Sequence, residues 1–237
     1  GVATKFVDNR LLNHSFENQL TSWSHDSDKV STDSTHYYYG TKSGKLEPEG
    51  YVSQKVSKNP YYTYYTSSVY ARGSSGNSKI KFNIYFYDSN GTYLSSKSSE
   101  QDLRENVWDR KQFTFTLPNG AEHFWVRYVN CGTDNIWIDC AQLENGATMN
   151  RYNMVQNSDF ENTASTAWTT AHCDSSDNYC ANETYGRCFH MTGIGSADKR
   201  ITQKIYINKP ANKVFLSISG YAKANSVPMD ESGNRRF

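Results

Sequence analysis

Residues 110–117, RKQFTFTL, alternate without a break: Phe113, Phe115 and Leu117 fall on one side, Gln112, Thr114 and Thr116 on the other. A period of two belongs to a β-strand with one buried face. Similar stretches recur along the chain, each bounded by a turn signal. YYTYYTSSVYAR (61–72) and KIKFNIYFY (79–87) lead to DSNG (88–91), an Asx-rich hairpin signal. RKQFTFTL runs into PNG, HFWVRYV (123–129) runs into CGTDN, and IWIDCAQLE (136–144) follows. The one helical candidate is the short SSEQDLRENV (98–107). Strands and turns at this spacing predict an all-β sandwich or barrel. The 18 tyrosines agree, because tyrosine favours strands.

The chain also repeats itself. NHSFEN (13–18) returns as NSDFEN (157–162). Trp23 is matched by Trp168, Gly40 by Gly186, SQKV (53–56) by TQKI (202–205), Pro60 by Pro210, and VYAR (69–72) by GYAK (220–223). An offset of roughly 150 residues is a domain length rather than a solenoid repeat. The expected organisation is a linker at 1–10, a complete module at 11–150 and the N-terminal part of a second, similar module at 151–237. The absence of a charged-then-apolar leader suggests a chain that starts after any signal peptide, or a piece of a tandem array.

Charge is nearly balanced, 25 Lys+Arg against 24 Asp+Glu, which argues against a duplex nucleic-acid binder. No run of eighteen apolar residues exists, so no membrane insertion is expected. There is no G-x-S-x-G or H-E-x-x-H, and no carboxylate pair is marked out for glycoside hydrolysis. The expectation is a protein that is not an enzyme, with no catalytic residues. LPNG (117–120) reads as a turn before a strand. Five cysteines (131, 140, 173, 180 and 188) leave an odd count. Isolated thiols or one short-range disulfide among the last three fit better than zinc, since no C-x-x-C is present.

The order N-x-SFE-N…W, YYTSSVYAR, YFYDSNG, WDRKQFTFTLPNGA and VRY…IWIDCAQLENG resembles tandem β-sandwich carbohydrate-binding modules of xylanases and cellulases. It is similar too to modules of bacterial tyrosine–aspartate-repeat wall-associated surface proteins, which end in hydrophobic-Asp-x-x-Gln-Leu-Glu before an RYN linker. Here those are Ile138 to Glu144 and Arg151-Tyr152-Asn153. The resemblance covers 11–145 fully and 154–225 in part. It implies a jelly-roll β-sandwich, galactose-binding-like, with one complete module and an incomplete second copy. It further implies a secreted or cell-surface bacterial protein that binds a polysaccharide or cell-wall glycan among other modules of its parent chain. The alternative is a structural or adhesive spacer without sugar binding. A structural calcium is implied between the first and last strands, with Glu17 and Asp139 as ligands and Glu161 opening the same arrangement in the second copy.

In such modules the ligand crosses a concave sheet, and strand parity suggests which side chains face it. With Val69 and Ala71 inward, Tyr70 and Arg72 face out. With Ile84 and Phe86 inward, Asn83, Tyr85 and Tyr87 face out. With Phe124, Val126 and Tyr128 inward, Trp125 and Arg127 face out. Flat rings stack on pyranose faces, while Arg and Asn reach hydroxyls. Trp23 and Trp168 are expected in the core, because both copies keep a tryptophan beside an acidic turn.

Overall fold

A computed structural model describes residues 9–158, 160, 163, 166–182, 186–193, 198–205, 218, 220 and 222. The chain divides into two compact units, Gly1–Ile207 and Asn208–Phe237. In the second only 218, 220 and 222 are described, and none lies in a strand. Residues 1–8 of the expected linker, Asp159, Glu161, Pro210, Tyr221 and Lys223 lie outside the described residues.

Ten strands build the first sandwich. They are β1 (Ser24–His25), β2 (Val30–Asp33), β3 (Ser43–Leu46), β4 (Tyr51–Ser57), β5 (Tyr64–Gly73), β6 (Lys79–Tyr87), β7 (Tyr93–Asp102), β8 (Asp109–Thr116), β9 (His123–Asn130) and β10 (Ile136–Asn145). Sheet A has the order β1-β4-β9-β6-β7 and sheet B the order β2-β3-β10-β5-β8. Every pairing within them is antiparallel. The predicted all-β jelly-roll sandwich is what the chain forms, with no helix among the described residues.

The candidate helix at 98–107 is a correction. Residues up to Asp102 are strand β7, whose backbone pairs along the whole of β6. Its polar sequence fits an edge strand. Lys81 reaches Glu100 at 2.8 Å and Lys79 reaches Asp102 at 3.3 Å across the pair, and such charges discourage edge-to-edge association. Only Leu103 of this stretch enters the core, too little apolar surface to seat a helix.

The inward side chains of the two sheets meet as parity predicts. Phe82, Ile84, Phe86, Phe124, Val126 and Tyr128 of sheet A pack on Tyr65, Val69, Ala71, Phe115, Ile138 and Leu143 of sheet B. Tyr128 carries its hydroxyl into this interior and meets Ser67 Oγ at 2.8 Å, a bond that ties one sheet to the other. Burying that phenol without a partner would be costly.

The chain enters the sandwich through a strained segment. Asn13, Phe16, Gln19 and Ser22 all have positive φ (45°, 56°, 52° and 71°). Asn13 holds the loop together: its amide nitrogen donates to the carbonyls of Gln19 and Thr21, both at 2.8 Å, and its Oδ1 accepts from Asn18 N at 3.1 Å. Phe16 then stacks on Trp23 at 5.4 Å and 20°, and Trp23 Nε1 donates to Asn13 O at 3.0 Å. The arrangement recurs later in the chain. Asn157 and Phe160 have φ of 48° and 56°, Phe160 lies 5.5 Å from Trp168, and Trp168 Nε1 donates to Asn157 O at 3.1 Å. Trp23 is buried, and Trp168 is half-buried against its own phenylalanine.

Four shorter strands follow: β11 (Thr169–Ala171), β12 (Asn178–Asn182), β13 (Gly186–His190) and β14 (Arg200–Thr202). β11 pairs with β14 and β12 with β13. Cys180 and Cys188 stand directly opposite each other in the second pair. Among the described residues Cys131, Cys140 and Cys173 are unpaired thiols.

Candidate functional site

The outer face of sheet B is covered over β10 and the adjoining half of β5, while Gln112 and Thr114 of the edge strand β8 stay exposed. The loop between β2 and β3 folds over it, and Tyr38 stacks on Tyr70 at 3.8 Å and 15°. His36 lies 4.4 Å from Trp137, whose Nε1 donates to Asp33 Oδ2 at 3.1 Å. Arg72 sits over the Trp137 ring at 5.4 Å and donates to Asn106 Oδ1 at 2.7 Å. The segment after β10 covers the rest. Arg110 donates to Asn150 O at 2.6 Å, Gln142 Oε1 accepts from Asn153 N at 2.7 Å, and Glu144 Oε1 accepts from Asn150 Nδ2 at 2.6 Å. All ten residues of β10 are buried as a result.

The outer face of sheet A is open, and its side chains form rows across the strands. One row runs Lys55, Trp125, Tyr85, Ser96, and the next runs Ser57, His123, Tyr87, Tyr93. On the other side lies Ser53, Arg127, Asn83, Ser98. Rows two residues apart lie about 6.6 Å from each other, and neighbouring strands about 4.8 Å apart, so the rings of the two rows lie next to each other on one face. Tyr87 and His123 stack face to face at 5.4 Å and 5°. Tyr93 meets Tyr87 edge-on at 5.8 Å. The Arg127 guanidinium lies 4.1 Å from the Tyr51 ring centre and 5.0 Å from that of Tyr85. Asn83 Nδ2 donates to Tyr85 Oη at 3.3 Å. Burial, reinforced by the nearby Lys55 charge, holds the His123 imidazole below its ordinary pKa.

The structure thus divides the predicted binding set. All seven side chains face outward, but Asn83, Tyr85, Tyr87, Trp125 and Arg127 lie on sheet A while Tyr70 and Arg72 lie on sheet B. The single surface expected from parity is corrected to five residues on one face. Tyr70 and Arg72 lie beneath Tyr38 and beside Trp137, on the covered side. Parity assigns a side chain to the inside or outside of its sheet and is silent on which sheet the strand joins. Tyr51, Lys55, Tyr93 and His123 were missed. The signal for them was the register that follows from the DSNG hairpin and from the Tyr-x-Ser-x-Lys alternation of 51–55.

The predicted metal ligands converge on one loop. Glu17 Oε1 accepts from the main-chain nitrogens of Thr41 and Lys42 at 2.7 and 3.0 Å, and its Oε2 from Thr41 Oγ1 at 2.8 Å. Asp139 Oδ2 accepts from Tyr38 N and Tyr39 N at 2.8 and 2.9 Å, and its Oδ1 from Cys140 N at 2.6 Å. A bulge in β10 places Asp139 there, where the register with β5 slips between Asp139 and Gln142 and Cys140 takes φ 50°. Gly40 makes room for Glu17: a Cβ on Gly40 would come within 2.1 Å of Oε1. Burial pushes the Asp139 carboxyl up to about 7, against the pull of the three N–H donors.

Neither carboxylate forms an ion pair among the described residues. Both are instead satisfied by N–H and O–H donors, Glu17 by Thr41 and Lys42 and Asp139 by Tyr38, Tyr39 and Cys140. Among the described residues no cluster of three or more His, Cys, Asp or Glu is placed to hold a metal. Calcium here would therefore complete its shell from main-chain carbonyls and water.

A two-sheet jelly roll with one covered face and one open aromatic face is a β-sandwich of the carbohydrate-binding-module type. No protein-family model matches the chain. Among solved structures it is similar to the C-terminal family 22 carbohydrate-binding module of Clostridium thermocellum Xyn10B, with a TM-score of 0.50 and 17% identity over 62% of this chain and 100% of that one. By sequence it is 30% identical to the tRNA nuclease WapA of Bacillus subtilis (strain 168), over 92% of this chain and 10% of that protein. It is 29% identical to the tRNA(Glu)-specific nuclease WapA of Bacillus subtilis subsp. natto (strain BEST195), with the same coverage. The chain spans about a tenth of the length of the curated relatives it matches. These names overturn the expectation that the chain is not an enzyme: the relatives that match nearly all of it are nucleases. That expectation rested on motifs missing from a segment that spans about a tenth of these relatives, and such an absence says nothing about the activity of the longer proteins. Among the described residues no helix is long and apolar enough to cross a membrane.

Proposed function

We propose that this chain is the glycan-binding segment of a longer, secreted or cell-surface bacterial protein of the WapA kind, whose activity as a whole is cleavage of tRNA. In this reading sheet A binds a polysaccharide or cell-wall glycan, and the segment from 151 onward begins a second, similar module. One observation carries the reading: the Trp125–Tyr85 and His123–Tyr87 rows put aromatic side chains side by side on the outer face of sheet A, while most of the opposite face is filled by the protein's own loops. A spacer would have no use for an uncovered platform of this kind, since exposed aromatic surface favours association.

The test is retention on glycan affinity gels, with xylan, β-glucan, cellulose and purified cell wall. Tyr85→Ala and Trp125→Ala each remove a stacking surface at the centre of the platform. Each is expected to weaken binding by about 1–3 kcal/mol, roughly five- to 150-fold. Binding that survives the double substitution would move the ligand away from sheet A. No retention of the parent chain on any of these glycans would favour the spacer.

Calcium belongs to the same proposal. Glu17 and Asp139 would hold it, and it would neutralise both carboxylates and fix the loop over sheet B. At a calcium concentration a hundred times its Kd, a ligand specific for the folded state adds about 2.7 kcal/mol, which for a domain of this size is a Tm rise of about 5–10 °C. Thermal unfolding with calcium and with EDTA measures this. Identical Tm values in the two would remove calcium from the account.

A further inference from the structure

The charge on sheet A selects among glycans. We propose that its ligand is an acidic glycan, a polymer of sugar rings that carries carboxylate or phosphate groups. This deepens the reading above and rests on it.

Three of the acidic groups near the platform are paired with a lysine, and Asp88 keeps its charge without an ion-pair partner among the described residues. Glu100 is held by Lys81 at 2.8 Å and Asp102 by Lys79 at 3.3 Å, both toward one end of the β6–β7 pair. Glu122 is held by Lys58 at 3.3 Å. Asp88, at the hairpin end, accepts main-chain N–H bonds from Asn90 and Thr92 at 2.9 and 2.8 Å. Two cations are left over. Lys55 is exposed beside Trp125 in the central row, and Arg127 lies one row away; neither forms an ion pair among the described residues. Arg127 Nε is buried without a hydrogen-bond partner, its guanidinium fixed between Tyr51 and Tyr85.

Aromatic rings flanked by two uncompensated positive charges match a polymer with apolar ring faces and negative substituents. The strand and row spacings put both cations within about one sugar ring of the Trp125–Tyr85 cross-strand pair. A planar guanidinium suits a carboxylate or phosphate. A neutral polymer would leave both charges without a counterpart. RNA shares the combination of rings and phosphates and is treated as an outcome of the test.

Binding is measured by titration calorimetry on the whole chain, at about 0.05 and 0.5 M salt. The probes are polygalacturonate, its fully methyl-esterified form, a phosphomannan, β-1,4-xylan and bulk tRNA. Polygalacturonate or phosphomannan is expected to bind about tenfold more tightly than the esterified polymer or xylan, with the gap closing at high salt. Lys55→Gln should lower affinity for the acidic polymer several-fold more than for the esterified one, with thermal unfolding as the folding control. Equal affinity for charged and esterified forms overturns the acidic preference and leaves glycan binding standing. Binding to no glycan overturns both. Binding to tRNA with none to the acidic glycans overturns the proposal in favour of a nucleic-acid surface.

Discussion

In the presence of a chelator, Asp139→Asn is expected to give a protein whose unfolding free energy rises with pH more steeply than the parent's, by about 3 kcal/mol between pH 4 and pH 7. The Asp139 carboxyl is pushed up to about 7 by burial. Its unfolded value is about 3.9. A carboxyl shifted in this direction gives stability that is fully present below about 3.9 and is lost as pH rises through 7. Asparagine cannot ionise and removes that loss. Urea midpoints for parent and variant, taken at half-unit steps of pH, measure the difference. A constant difference across the range would show that Asp139 ionises freely in the folded protein.

His14→Gln should do the reverse. His14 is buried, its Nδ1 hydrogen-bonds to the Tyr152 hydroxyl, its Nε2 has no partner, and burial lowers its pKa to about 3. The unfolded imidazole takes a proton below about 6.5 that the folded one refuses, so stability is lost as pH falls from 6.5 toward 3. Relative to the parent, the glutamine variant should lose about 3 kcal/mol as pH rises from 4 to 7. In the parent the two slopes oppose each other and nearly cancel. The same urea series, run on both variants, should show slopes of opposite sign. Two slopes of one sign would contradict the burial of one of the pair.

Much of the fold was legible because its strands alternate. KIKFNIYFY was read as a strand over 79–87 and is β6 without a change of boundary. Phe115 and Tyr128 point into the core as their parity requires. The repeated Asn…Phe…Trp signature encoded its own geometry, since Asn13–Trp23 and Asn157–Trp168 make the same bond. Two things were not legible. β7 carries few apolar residues, and its strand character comes from its partner β6 rather than from its own sequence. The membership of each strand in one sheet or the other is set by long-range pairing. β5 and β6 are consecutive yet belong to opposite sheets, and that is why Tyr70 and Arg72 parted from Tyr85 and Trp125. The main-chain N–H groups of residues 38–42 that hold Glu17 and Asp139 leave no signal in the sequence.

The segment that leaves β10 is laced back onto the sheet through Arg110, Gln142 and Glu144. A tether fastened in this way has a mechanical meaning. Tension applied from beyond residue 153 would not peel the sandwich from a margin. It would be delivered to β10, which lies between β3 and β5 in the middle of its sheet. There it would meet the β5 ladder at residues 142–145 first, and the β3 ladder, which holds residues 136–138, only after that.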